Sequence, residues 1–379
     1  MLRAFTATRL FDGTRFLDNR AVLVREGRVV GFADRGDLPA GCPLVDCGAG
    51  VLAPGFIDLQ VNGGGGVLFN EEPSPQAIAT IVSAHQRYGT AGLLPTLITD
   101  TDETTAAAIA AATAARHSVV GSIGLHLEGP HLAPARKGAH PPALMRAMTG
   151  ADVERLIDAK ASVGALMVTV AAEQAPPALI RRLVDAGIVV SLGHSDASYT
   201  MARAAFDAGV RAVTHLFNAM SQLGGREPGL VGAALAAGDV WCGLIADGIH
   251  VHPEAARLAL AAKRGPGRLF LVTDAMSTVG VAGDAFSLHG RTVRRANGRL
   301  TLPDGTLAGA DIDMASCVRN AVILLGLPLE EALRMAGIYP ATLMGLADYG
   351  RIAPGSAARF VYLDEALNAR PVPDEGGAA

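Results

Sequence analysis

The chain has 379 residues, 50% of them hydrophobic, enough to bury a core larger than one small domain holds. Charged residues make up 18%, the net charge is -4 and no Lys/Arg cluster forms a basic stripe, which argues against nucleic acid and leaves any anionic substrate to a few local cations. Apolar runs are too short for a membrane span, MLRAFTATRLFDG is no secretory signal, and Cys42, Cys47, Cys242 and Cys317 form no C-x-x-C pair, so a reduced cytoplasm is expected.

Residues 1–50 read as short β-strands, since RFLDNRAVLVREGRVVGFAD alternates apolar and polar around a turn at Glu26-Gly27. From 51 to 344 strands alternate with helices. Apolar or β-branched runs fall at Phe56–Val61, Gly92–Ile98, Ile123–Glu128, Ala165–Val170, Ile188–His194, Ala212–Phe217, Cys242–Asp247 and Leu269–Asp274. Helical patterns such as SPQAIATIVSAHQRYG and DETTAAAIAAATAARH follow most of them. Eight strands with intervening helices predict a (β/α)8 TIM barrel. A doubly wound sheet is disfavoured because no G-x-G-x-x-G opens a helix after the first strand. Segment 281–309 reads as hairpins expected to fold over the barrel mouth, and helices resume around 311–325 and 329–337. The final segment, 345–379, contains GRIAPGSAARFVYLD, which again has strand-and-turn character. Neither chain end has enough strands for a stable sheet alone, so the two are expected to form one small β-sandwich domain (1–50 with 345–379) beside the barrel (51–344).

In such a barrel the chemistry sits at the C-terminal ends of the strands. Four polar residues end predicted strands there: Glu128 in LHLEGP, His194 in SLGHSD, His215 in VTHLFNAM and Asp274 in LVTDAM. Each of the histidines alone reads more readily as a structural residue, but the four together point to one mouth. Two His and one Glu make a zinc site with an open position, which acidifies water and polarises a carbonyl. Asp274 would take the proton of the attacking water and return it to the leaving amine. The residues themselves carry the reading as far as a metal hydrolase in a barrel, without a substrate.

Further motifs carry a resemblance. PGFIDLQVNG (54–63), HLEGPHLAPARKGAH (126–140), LGHSDA (192–197), THLFNAM (214–220), GREPGL (225–230), IADGIHV (245–251), LVTDAM (271–276) and GTLAGA (305–310) occur in order through nearly the whole barrel. Together they resemble the N-acetylglucosamine-6-phosphate deacetylase family of the amidohydrolase superfamily. PGFID and GRIAPGSAA alone would indicate only the superfamily; HLEGP with KGAH, and THLFNAM with GREPG, are more specific. The resemblance implies deacetylation of N-acetylglucosamine 6-phosphate, with Glu128, His194 and His215 as ligands of one zinc ion and Asp274 as acid/base. It places His140 near the sugar and the amide oxygen, with Ala139 as a backbone contact and Asn218 and Ala219 as substrate contacts. Arg226 and His250 match the pair that grips the phosphate, with Arg226 serving its own or a neighbouring subunit. Leu307, Ala308 and Gly309 match a segment closing over the acetyl group. The expected partners are a phosphorylated amino sugar and further copies of the chain, in a homodimer or higher homo-oligomer.

One departure bears on the metal count. Many amidohydrolases carry His-x-His at the first strand end; this chain has Gln60-Val61-Asn62, and no Lys on the fourth strand to bridge two ions. These absences argue against a two-metal cyclic amidase or nucleobase deaminase, and retention of all four polar residues argues against a non-catalytic assembly protein. N-acetylgalactosamine 6-phosphate stays open as substrate. His131 is given no role, and His85, His117, His126, His252 and His289 are read as structural, with His126 one barrel layer below Glu128.

Overall fold

Ten apolar-rich residues, Val51 to Val61 with Gly55 between, serve two different sheets. The computed structural model, which describes residues 1–372, divides them at Gly55, where an added Cβ would lie 2.4 Å from the Ala91 Cβ. Phe56–Val61 opens a parallel sheet that continues through Thr90–Ile98, Gly124–Glu128, Ala165–Val170, Val189–Leu192, Ala212–Val213, Trp241–Leu244 and Leu269–Leu271, in chain order. This is the expected eight-stranded barrel. The fifth to eighth strands are shorter than their apolar runs, because the chain leaves the ladder before His194, His215, Asp247 and Asp274.

The seam between first and last strands is irregular. Among the described residues only Val61 and Ala275 form a bridge there. The Asp274 N–H donates to the Gln60 carbonyl (3.0 Å) and the Asn62 N–H to the Ala275 carbonyl (2.8 Å). Below them the fully buried Asp58 carboxyl accepts from the backbone N–H (3.2 Å) and hydroxyl (2.5 Å) of Thr273. Burial pushes this carboxyl up to about 7 against those hydrogen bonds.

Several of the surrounding helices start at side-chain caps. Ser74 accepts from the Ala77 N–H and Thr101 from the Thr104 N–H, and Thr149 forms a capping box with Asp152. The Ala-rich helix Asp102–Ser118 buries Ala108, Ala111, Ala112 and Ala115, the i, i+3, i+4, i+7 spacing of one helix face.

Two small sheets stack beside the barrel. One holds Leu2–Thr6, Arg20–Arg25, Arg28–Asp34 and Leu44–Asp46, with left-handed backbone at Glu26 and Gly27 in the hairpin turn. The other joins Arg9–Phe11, Phe16–Leu17 and Val51–Pro54 to the C-terminal strands Phe360–Leu363 and Ala369–Val372. Phe5, Leu10, Val22, Leu52 and Phe360 fill the space between them, giving the sandwich. Val51–Pro54, at the start of the segment assigned to the barrel, pairs with Phe360–Leu363; a largely apolar run does not reveal which sheet each half joins. Residues 373–379 of the expected small domain lie outside the described residues.

The hairpin segment forms a four-stranded antiparallel sheet, Ala285–Leu288, Arg291–Ala296, Arg299–Thr301 and Leu307–Ala310. Its apolar face (Leu288, Val293, Leu300, Ala308) packs on Leu68, Ile98 and Met276 at the mouth of the barrel. No helix among the described residues is long and apolar enough to cross a membrane.

Candidate active site

Glu128 is the last residue of its strand, whereas His194, His215 and Asp274 stand two or three residues past theirs. All three have positive φ (46°, 30° and 51°), as do Phe217 and Ala219 in the same loop as His215. Non-glycine residues in this region carry backbone strain, and its concentration here marks a site where side chains are aimed against local preference.

The aim is convergent. His194 Nε2 lies 3.2 Å from Glu128 Oε1, His215 Nε2 lies 3.1 Å from the same oxygen, and the two nitrogens are 3.2 Å apart. All three side chains are buried. His194 Nδ1 donates to the Arg136 carbonyl at 2.8 Å, so its Nε2 lone pair is bare and points at the cluster. Three donors of this kind, at this spacing, fit a divalent cation with one position left open. Burial disfavours charge on Glu128, but His194 and His215 beside it outweigh this and hold the carboxyl well below its usual range. The same pairing raises His215 against its burial.

Asp274 faces this cluster. Gln60 Nε2 (3.1 Å) and Asn62 Nδ2 (2.7 Å) both donate to its Oδ1, and Gln60 Nε2 also reaches Glu128 Oε2 at 3.2 Å. A carboxylate accepts only, so both amides must turn their NH2 groups toward the acids. These two residues, expected from the sequence to bond their surroundings or a metal-bound water, are therefore a clamp on Asp274. Burial and the nearby Glu128 charge raise the Asp274 carboxyl, opposed by His215, His250 and the Asn62 hydrogen bond.

A cavity of about 410 Å³ opens over these groups. It is lined by Glu128, His194, His215 and Asp274, and by eight of the nine expected substrate contacts: Ala139, His140, Asn218, Ala219, His250, Leu307, Ala308 and Gly309. His250 is oriented by a 2.6 Å hydrogen bond between its Nδ1 and Asp247. His140 is buried, packs on His194 with ring centroids 4.3 Å apart, and is held well below the usual histidine range chiefly by burial. Arg226 is the exception: it is exposed and does not line the cavity of its own chain. Lys137, passed over within KGAH, does line it, as do Asn62, Met276 and Leu288. His131 packs against the Arg146 carbonyl and Asp152, outside the cluster, and His126 is hydrogen-bonded to Thr96 and Thr169 inside the barrel.

Gly309 brings the overlying sheet into contact with the seam. Its φ is +66°, and an added Cβ would meet Met276 Cγ at 2.5 Å and the Asp274 carbonyl at 2.9 Å. Gly309→Ala is therefore expected to cost about 1–3 kcal/mol, from left-handed strain plus overpacking. Urea unfolding measures this, and superimposable curves for the two proteins would show that the sheet adjusts freely.

Comparison with known proteins places the whole fold in a family. The model of the amidohydrolase family matches residues 51–375. The chain is 42% identical to the N-acetylgalactosamine-6-phosphate deacetylase of Shewanella sp. (strain ANA-3), over 93% of this chain and 91% of that protein. The crystal structure of N-acetylglucosamine-6-phosphate deacetylase from Pasteurella multocida superimposes with a TM-score of 0.93, at 35% identity and 97% coverage of both chains. An aspartate-to-alanine mutant of the Mycobacterium smegmatis N-acetyl-D-glucosamine-6-phosphate deacetylase, in complex with N-acetyl-D-glucosamine 6-phosphate, gives 0.90 at 34% identity, covering 97% of this chain and 96% of that one.

Proposed function

The chain belongs to the amidohydrolase family and, within it, to the deacetylases of N-acetylated amino-sugar 6-phosphates, and from that premise we propose that it converts N-acetylglucosamine 6-phosphate and water into glucosamine 6-phosphate and acetate. The observation that carries this reading is the meeting of Glu128, His194 and His215 with the clamped carboxyl of Asp274 in one cavity. A divalent ion, most simply zinc, held by the first three would supply an acidified water and a Lewis acid for the amide carbonyl. Asp274 accepts the proton of the attacking water and delivers it to the nitrogen as the C–N bond breaks. Its Oδ1 is occupied by Gln60 and Asn62, which leaves Oδ2 to carry the proton. His140 donates to the carbonyl oxygen as negative charge develops there. Leu307, Ala308 and Gly309 supply an apolar wall for the acetyl methyl, and Ala139, Asn218 and Ala219 border the sugar.

His250, and Arg226 of a neighbouring copy, grip the phosphate in this reading. The exposed position of Arg226, away from its own cavity, supports that assignment and implies at least a homodimer. Arg226→Ala is expected to raise KM for the phosphorylated sugar by the equivalent of about 1.5–3 kcal/mol, the range for a hydrogen bond to a charged group, and to leave turnover of unphosphorylated N-acetylglucosamine almost unchanged. Equal losses on both substrates would make Arg226 structural.

The 42% identity with the Shewanella protein favours a second reading, N-acetylgalactosamine 6-phosphate. An acetate-release assay on both epimers, each with and without the 6-phosphate, decides between them. Release from neither phosphorylated epimer would end the deacetylase proposal.

A further inference from the structure

His140 has two ring nitrogens in different surroundings. Nδ1 faces Thr99, one residue beyond the end of the second barrel strand: the Thr99 backbone N–H donates to it at 3.3 Å, and the Thr99 hydroxyl lies 2.9 Å away. A hydroxyl can rotate to donate or accept, but a backbone N–H has a fixed direction and only donates. A hydrogen on Nδ1 would oppose it. Nδ1 is therefore bare, its one lone pair shared between the Thr99 N–H and hydroxyl, and the imidazole proton resides on Nε2. Among the described residues Nε2 has no hydrogen-bond partner, while the ring lines the cavity and packs on the metal-ligand candidate His194.

From this arrangement we infer that Thr99 is a positioning residue, which fixes His140 as an Nε2–H donor to the scissile carbonyl oxygen. The inference rests on the deacetylase reading and adds to it the group that sets the tautomer. Thr99 is fully enclosed by the second and third barrel strand ends, its hydroxyl also lying 3.5 Å from the Glu128 carbonyl. The imidazole is thus referenced to the same strand end that carries a metal-ligand candidate. A donor preset in this way needs no reorganisation as the oxyanion forms, which is where such groups have their largest effect.

Two measurements test it. In the metal-loaded protein labelled with ¹⁵N-histidine, His140 should give the signature of bare Nδ1 and protonated Nε2; a protonated Nδ1 would overturn the inference whatever the activity data say. In steady-state acetate release, Thr99→Val should lower kcat about tenfold with KM within about twofold, the effect of one lost hydrogen bond felt in the transition state, and Thr99→Ser should restore most of it. Wild-type kcat in Thr99→Val, or a loss confined to KM, would also overturn it. His140→Gln, whose amide reaches the Nε2 position, should retain more kcat than His140→Asn, whose amide reaches only the Nδ1 side; the reverse order counts against the assignment. Absence of acetate release from the unaltered protein would instead remove the deacetylase reading, with the tautomer still decided by the spectrum.

Discussion

Asp274→Asn is expected to lower kcat by roughly 10²–10⁴, the contribution of general acid–base catalysis, while KM, metal content and unfolding midpoint stay near those of the unaltered protein. The fold should survive for two reasons. Asn is among the few residues that tolerate the left-handed backbone found at position 274 (φ 51°). Its carbonyl oxygen can also keep the hydrogen bonds that Gln60 and Asn62 donate to Oδ1. The amide NH2 then takes the place of Oδ2, where it neither accepts a proton from water nor delivers one to an amine. Steady-state acetate release, alongside metal analysis of the same preparation, measures the effect. Near-normal turnover in a metal-replete variant would exclude Asp274 from the proton transfers.

Removal of metal is expected to abolish activity, and one equivalent per chain to restore it. The geometry makes the count specific. A second ion bridging Glu128 and Asp274 would sit where Gln60 and Asn62 now direct their NH2 groups. N–H donors repel a cation, and turning the amides round would leave two carboxylates without their partners. The neutral amide oxygens would be poor zinc ligands even then. Dialysis against a chelator followed by titration with Zn²⁺ should give activity that rises linearly and breaks at one equivalent. A rise continuing to two equivalents would overturn the one-metal reading.

The eight barrel strands were legible because each is buried on both faces and so reads as a short apolar run. Glu128, His194, His215 and Asp274 were legible because a polar residue ending such a run has few structural reasons to be there. The limits are equally physical. Ala212–Val213 is only two residues long, and the backbone turns through positive φ at His215, Phe217 and Ala219, a conformation that side-chain identity does not announce. Gln60 and Asn62 stood out as missing histidines; their clamp on Asp274 depends on a contact between residues more than two hundred positions apart. Thr99 carried no signal, since a threonine ending a β-strand is ordinary until the ring beside it is known.

The seam between the first and last barrel strands also governs how the molecule comes into being. During synthesis Gln60 and Asn62 emerge early, and the residues that bond their strand on that side, Thr273 to Ala275, come more than two hundred positions later. Val51–Pro54 waits longer still, for Phe360–Leu363. Until then the nascent chain presents two open sheet edges, the exposed templates that invite pairing with other chains. The entropy of bringing such distant segments together grows only slowly with the length between them, but it must be met before any closing contact forms. No fragment ending before the eighth strand can hold a clamped Asp274, and none ending before Phe360 can complete the sandwich. Catalytic competence is thus among the last properties the chain acquires, and a prematurely ended copy carries exposed edges in place of a weakened active site.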